Sequence, residues 1–315
     1  MFIQRFIGKF VLSAAMLAFF ILILAGCASS STGKLIEGKT NVVTSFYPLY
    51  FLAQQIGGES ANVINMIPAG VEPHDWSPKS RDLDTAAKAQ LFLYNGAGLE
   101  GWVDDFLEGL PTDSKLITVE ASEGITKISG SPEEDNDATD AKHVDPHTWV
   151  SPKSMLVMAN TVQKNFVKAD PAHKVAYTAN YDKLEQRLKE LDREYTDALS
   201  KTPRKDIVTS HQAFGYLARD YGLKQVAIMG LSPDAEPKAQ DLLRITKFVK
   251  DNGIKFIFFE ELVSDELAKT LANEANVSTM VLNPLEGLTP EQEKKGEDYF
   301  SLMKANLQNL VQALQ

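Results

Sequence analysis

Pro73-His74-Asp75-Trp76-Ser77-Pro78-Lys79-Ser80 is echoed later in the chain by Pro146-His147-Thr148-Trp149-Val150-Ser151-Pro152-Lys153-Ser154. Each stretch sets an imidazole directly after a proline and two residues before a tryptophan, and each closes on Ser-Pro. Serine is a good helix N-cap and proline suits the first helical position, so Ser77 and Ser151 are expected to cap helices opening at Pro78 and Pro152. The prolines ahead of the histidines stiffen the entry to each loop. Two imidazoles held in this way suit a common metal such as zinc, copper or nickel. His211, in Val208-Thr209-Ser210-His211-Gln212-Ala213-Phe214, stands where a strand end feeds a helix. Glu286, in Leu282-Asn283-Pro284-Leu285-Glu286-Gly287-Leu288, follows the last strand. His143 in an acidic stretch and His173 on a first helical turn are read as solvated. On residue type alone, a buried, hydrogen-bonded structural histidine is an equal reading for each of the other three.

The elements that must carry these residues alternate between strand and helix. Apolar runs at 41–47, 63–67, 91–94 and 116–119 read as strands, with helices at about 49–56, 78–90, 100–110 and 152–167 between and after them. Short apolar strands separated by helical stretches indicate βαβ units and a parallel sheet. Asp170-Pro171 then opens a long helix in which Tyr177, Tyr181, Leu184, Leu188, Leu191, Tyr195 and Ala198 form one apolar stripe, ending before Pro203. Strands follow at 206–209, 225–229, 255–259 and 279–282, with helices at about 214–221, 237–252, 265–276 and 290–314. The fold class is therefore α/β, two lobes with central parallel sheets (41–169 and 203–315) joined by one rigid backbone helix (170–202). Ligands collect beyond the carboxyl ends of strands in open α/β sheets, so His74, His147, His211 and Glu286 are expected to face one cleft. Residues 129–145, with Glu133, Glu134, Asp135, Asp137, Asp140 and Asp145, read as a surface loop.

The first 26 residues carry only Arg5 and Lys9 as charges, then a largely apolar run ending Leu24-Ala25-Gly26-Cys27. That is the pattern of a secretory signal. Cys27 is the sole cysteine, which leaves no disulfide framework and no thiolate metal site. Residues 27–40 read as a flexible tether. Loss of the signal moves the formal charge from −10 to −12, because it removes two cations and no anion. An acidic protein argues against a nucleic-acid partner and against electrostatic binding to anionic lipid.

Taken together, Val71-Glu72-Pro73-His74-Asp75-Trp76, Asp145-Pro146-His147-Thr148-Trp149, Ser210-His211-Gln212-Ala213-Phe214-Gly215-Tyr216-Leu217, Gly230-Leu231-Ser232-Pro233 and Leu285-Glu286-Gly287-Leu288 resemble the metal-binding lipoproteins of bacterial ABC importers, the ZnuA/AdcA group. The resemblance covers nearly the whole mature chain. It implies two lobes tied by a backbone helix, and His74, His147, His211 and Glu286 as ligands of transported Zn²⁺. Leu-Ala-Gly-Cys resembles the lipoprotein processing box, which implies acylation of Cys27 and a place on the outer face of the cell membrane. The implied partners are an importer's permease and ATPase, with the chain itself a monomer. Zinc-type members often carry a His-rich loop before the second ligand; here that loop is acidic. The other readings are a manganese-binding member of the same family, a zinc hydrolase or a surface adhesin. Three imidazoles favour zinc over manganese, which prefers oxygen donors. A zinc hydrolase keeps one position open for water, and no His-Glu-x-x-His helix is present. Trp76 and Trp149 are expected to pack beside the His loops. The long helix argues against wide hinge opening, so release is expected from a small movement of the C-terminal lobe with His211 and Glu286.

Overall fold

A computed structural model describes residues 33–129, 144–233 and 237–315. Cys27, His143 and most of the acidic loop lie outside them. The first lobe alternates β1 (Thr40–Thr44), α1 (Tyr47–Gly57), β2 (Ala61–Asn65), α2 (Ser80–Ala87), β3 (Leu91–Tyr94), α3 (Val103–Glu108) and β4 (Ile117–Glu120), and closes with α4 (Pro152–Ala169). All pairings are parallel and the strand order is β2-β1-β3-β4. β1 is buried along its whole length and rich in β-branched residues, as a central parallel strand covered on both faces must be. Within 35–39, the end of the expected tether, Ile36 and Lys39 accept hydrogen bonds from Asn41.

The long helix α5 (Lys174–Ser200) follows a short 3₁₀ turn over Pro171–His173. Its 27 residues span about 40 Å at about 1.5 Å per residue. Tyr177, Leu184, Leu188, Leu191 and Tyr195 of the expected stripe are buried, and at its end Leu199 replaces Ala198. The cause is geometric: a strict 3.5-residue spacing drifts around a 3.6-residue helix. Polar side chains bolt the helix to both lobes. Asn180 donates to Ile56 O (3.1 Å) on one side, while Tyr195 donates to Met303 O (2.7 Å) on the other.

The second lobe repeats the plan with β5 (Asp206–Thr209), α6 (Gly215–Tyr221), β6 (Lys224–Ala227), α7 (Ala239–Asp251), β7 (Phe256–Phe259), α8 (Glu266–Ala275) and β8 (Ser278–Val281). Its order, β6-β5-β7-β8, is again all parallel and matches the first sheet strand for strand. The single helix expected over 290–314 is two, α9 (Pro290–Lys295) and α10 (Tyr299–Ala313). Gly296, at φ 71°, ends the first in the left-handed region, and the Asp298 carboxylate accepts from Ser301 N (2.9 Å) to start the second. One apolar core runs unbroken from Val42 through Trp149 and α5 to Leu314, so the lobes share a core.

Candidate metal centre

The two Ser-Pro stretches present their histidines by different local means than expected. α2 begins at Ser80, capped by Lys79, whose N–H donates to Asp82 (2.8 Å), so Ser77 caps nothing. Ser151 does hold the N-cap position of α4, with Pro152 first in the helix, but its hydroxyl donates to Asp220 of the other lobe. His147 precedes a 3₁₀ turn over Thr148–Val150 rather than the helix itself. Trp149 is fully buried, 5.3 Å from the His147 ring, and its indole N–H donates to Pro284 O (2.7 Å). Trp76 packs edge-on against Trp102 at 5.5 Å. His173 is half exposed but not merely solvated, because its Nδ1 lies 2.6 Å from Asp170.

His74, His147, His211 and Glu286 come together. One donor atom of each lies within 4.8 Å of all the others, and this is the one group of such side chains among the described residues able to hold a metal. His147 Nε2 is 3.3 Å from His74 Nε2 and 3.2 Å from His211 Nε2. Glu286 Oε1 is 3.4, 3.2 and 3.5 Å from the Nε2 atoms of His74, His147 and His211. A tetrahedral zinc with ligands at about 2.0–2.1 Å has donor–donor edges of about 3.3–3.4 Å. Five of the six edges, at 3.2–3.5 Å, lie close to that figure. Glu286 Oε1 is buried and has no hydrogen-bond partner, a costly state unless a cation or shared proton occupies the centre.

Two carboxylates stand behind the imidazoles, and the sequence reading had singled out neither as part of the site. Asp145 Oδ1 lies 2.8 Å from His147 Nδ1 and also accepts the His147 N–H (2.9 Å). Glu260 Oε1 lies 2.6 Å from His211 Nδ1. Each makes its ring's Nδ1 the donor and leaves Nε2 free to face the centre. A signal for Glu260 existed: it follows β7 directly, the same strand-end setting that marked His211. For His74, no carboxylate contacts Nδ1 among the described residues. Instead Glu72 accepts the N–H groups of His74 (3.0 Å) and Asp75 (3.3 Å).

The charges follow from these contacts. Burial presses the His211 imidazole toward the neutral form, but the charge and hydrogen bond of Glu260, then Glu286, overcome it and raise its pKa to about 10. His147 is likewise raised: burial works against the proton, but Asp145 and Glu286 outweigh it. For Glu286, burial favours the neutral acid, yet the imidazoles of His147, His211 and His74 beside it hold it well below the usual carboxylate range. Burial pushes Glu72 up. The His147, His211 and Glu286 side chains are at most 1% exposed, whereas His74 is 11% exposed, so the centre meets solvent on the His74 side.

Residues 42–313 match the family described as zinc-uptake complex component A, periplasmic. The high-affinity zinc uptake system protein ZnuA of Bacillus subtilis is 38% identical over 99% of this chain and 98% of its own length. The zinc-binding protein AdcA of Streptococcus pyogenes is 40% identical over 88% of this chain, which spans only 56% of that longer protein. The Zn(II)-bound ZnuA-like domain of Streptococcus pneumoniae AdcA superposes with a TM-score of 0.76 at 40% identity, covering 88% of this chain and 99% of the domain. With its paired sheets, backbone helix and three-histidine centre, the chain belongs to the family of zinc-uptake complex component A.

Proposed function

We propose that this chain is an extracytoplasmic zinc-binding protein that captures Zn²⁺ with His74, His147, His211 and Glu286 and delivers it to an ABC-type importer. The observation that carries the reading is the convergence of three imidazole Nε2 atoms on the unpaired, buried Glu286 Oε1 at tetrahedral spacing. Residues 1–26 act as the signal and Cys27 as the lipid anchor on the outer face of the membrane. Residues 27–40 form the tether, 41–169 and 203–315 the lobes, and 170–202 the linker helix. A Streptococcus pneumoniae relative, 41% identical, is itself named a zinc-binding lipoprotein. The permease with its ATPase is the partner, and the chain works as a monomer that binds no nucleic acid.

Zinc is the cargo. Four protein donors close the shell and leave no position for a reacting water, and the carboxylates of Asp145 and Glu260 are occupied by imidazole Nδ1 atoms. Both points favour carriage over hydrolysis, so the chain is not an enzyme. Three nitrogen donors favour zinc over manganese.

Exchange occurs at the His74 side. The loop of Glu286 is tied across the cleft by Trp149 to Pro284 O (2.7 Å) and by Gly70 N to Leu288 O (2.8 Å), and the lobes share one core. A lobe movement carrying Glu286 would break those bonds. His74 needs only a loop movement, since among the described residues no carboxylate holds its Nδ1. Native mass spectrometry with elemental analysis of the full chain in detergent tests the function. One zinc per chain, lost on chelation and in His147→Ala, is the expected result; a chain that binds none, or that binds manganese in preference, overturns it.

A further inference from the structure

The two lobes end their central strands in the same words, Val43-Thr44-Ser45 at β1 and Val208-Thr209-Ser210 at β5. The frames correspond atom for atom. Ser45 N donates to Leu93 O (2.9 Å) as Ser210 N donates to Phe258 O (2.9 Å). Two residues beyond those carbonyls stand Asn95 in the first lobe and Glu260 in the second. Both lie at the point where the strand order of their sheet reverses, the place where open α/β sheets build their sites. Glu260 orients His211 directly through Nδ1.

We propose that Asn95 is the positioning residue for His147, the first-lobe counterpart of Glu260. The inference rests on His147 being a zinc ligand. Asn95 is fully buried and its amide grips both neighbours of that histidine. Nδ2 donates to Pro146 O (2.8 Å) and to Gly96 O (2.9 Å), and Oδ1 accepts the Thr148 hydroxyl (3.0 Å). Every hydrogen-bonding direction of the donor nitrogen is used, so the amide has one orientation. Asn95 is itself fixed by a buried carboxylate. Glu100 Oε1 accepts Asn95 N (2.7 Å) and the Ser45 hydroxyl (2.7 Å), and Oε2 accepts Gly96 N (3.0 Å). In the second lobe the corresponding serine, Ser210, donates to Glu260. Beside the direct contact of Asp145 with His147, Glu100 thus supports that histidine through Asn95, where Glu260 supports His211 directly. Asp145 sets the rotation of the His147 ring, whereas Asn95 sets where its backbone stands relative to β3.

The test uses the full chain in detergent with zinc and cobalt(II) as probes. Asn95→Ala is expected to weaken zinc binding about tenfold or more, the usual effect of losing a group that orients a ligand. The visible bands of bound cobalt should shift and weaken as the tetrahedron distorts. Over a His147→Ala background the same substitution should cost nothing further, because the group it positions is gone. Thr148→Val removes one of the three contacts and should move the cobalt bands in the same direction by less. It also decides the matter if Asn95→Ala fails to fold. Zinc affinity within twofold of wild type and an unchanged cobalt spectrum in the folded variants would reduce Asn95 to fold maintenance and overturn the proposal. Wild-type affinity in His147→Ala would instead defeat the assignment of the centre, a separate outcome.

Discussion

Glu260→Gln separates the two things a carboxylate behind a ligand can do. The variant keeps the side chain's shape and an oxygen for His211 Nδ1, but it removes the charge that lifts the imidazole to about 10. In the zinc-free wild type, a pKa raised from 6.5 to about 10 means His211 holds its proton through neutral pH, and zinc must expel it. That expulsion costs about 1.4 kcal/mol for each pH unit below the pKa. Wild-type affinity should therefore climb by up to tenfold per unit from pH 6.5 to 9.5 through His211 alone. In the variant burial meets less opposition, the proton leaves more easily, and the climb is shallower. The neutral imidazole, on the other hand, is a poorer ligand without its anionic partner, by about ten- to a hundredfold. The deficit of the variant should thus be largest near pH 9.5 and shrink at every step toward 6.5.

Stability of the zinc-free protein should run the opposite way. A histidine whose folded pKa is raised contributes stability that is fully present below its unfolded value, about 6.5, and is lost as pH rises through about 10. The variant's loss in Tm is then greatest at pH 6.5 and fades toward pH 9.5. Chelator competition in pH steps measures the first trend, calorimetry in buffers of different ionisation heat counts the protons released, and apo melting curves measure the second. Parallel affinity curves with equal proton counts would refute the assignment of the His211 proton to Glu260.

Removing a ligand costs more than removing its support, so His74→Ala, His147→Ala and His211→Ala should each weaken zinc binding by more than about a hundredfold, and Glu286→Ala by less because water replaces its oxygen; chelator competition ranks them. Excising residues 131–141 should leave affinity within about tenfold, about 1.4 kcal/mol, since the Ser129–Val144 bridge already closes the neck of the loop and no proposed ligand lies inside it. Asp170 accepts from Thr40 and Tyr177 (both 2.8 Å) and from His173, and these hydrogen bonds overcome burial to hold its pKa down to about 2. Its contribution is present above about 3.8 and lost as pH falls through about 2, so Asp170→Ala should cost about 1–3 kcal/mol in urea unfolding at pH 6 and little at pH 2. On zinc binding, hydrogen exchange should slow most over residues 71–77, and protection confined to the second lobe would return the exchange step to that lobe.

What was legible in the sequence was what repeats with a period or marks a strand end. Parallel strands read as apolar runs, the α5 stripe read as a helix, and His74, His147, His211 and Glu286 stood out because each follows a strand or turn and precedes a helix or loop. What failed to read was decided by contacts between distant segments. The Ser151 hydroxyl leaves its cap for Asp220, 69 residues away, a choice that no local propensity encodes. Glu260 carries a strand-end signal but is matched to His211 only by the register of β5 with β7, and Asn95 reaches the neighbours of His147 from more than 50 residues away. Gly296 was readable as a helix stop. The unbroken polar pattern on either side of it hid the break.

The asymmetry among the histidines connects this architecture to transport. His147 and His211 are locked by carboxylates at 2.8 and 2.6 Å in two lobes that share a core, which fixes their Nε2 atoms 3.2 Å apart. Glu286 follows Leu285, which is buried at φ 59°, a left-handed backbone that a leucine adopts only when its surroundings impose it. Here they do: Leu285 N donates to Asn283 Oδ1 (2.7 Å), and Asn306 in turn holds Asn283 at both its N–H and its carbonyl. Three donors thus form a rigid cup, and a rigid cup that closed on all sides would neither fill nor empty at a useful rate. The fourth donor, His74, supplies the exchange. It sits at the solvent edge on a loop held by Glu72 through backbone N–H groups, and among the described residues no carboxylate contacts its Nδ1. All four donors contribute to affinity, but the loop sets the kinetics, which lets an importer empty the site by drawing one loop aside without prising the two lobes apart.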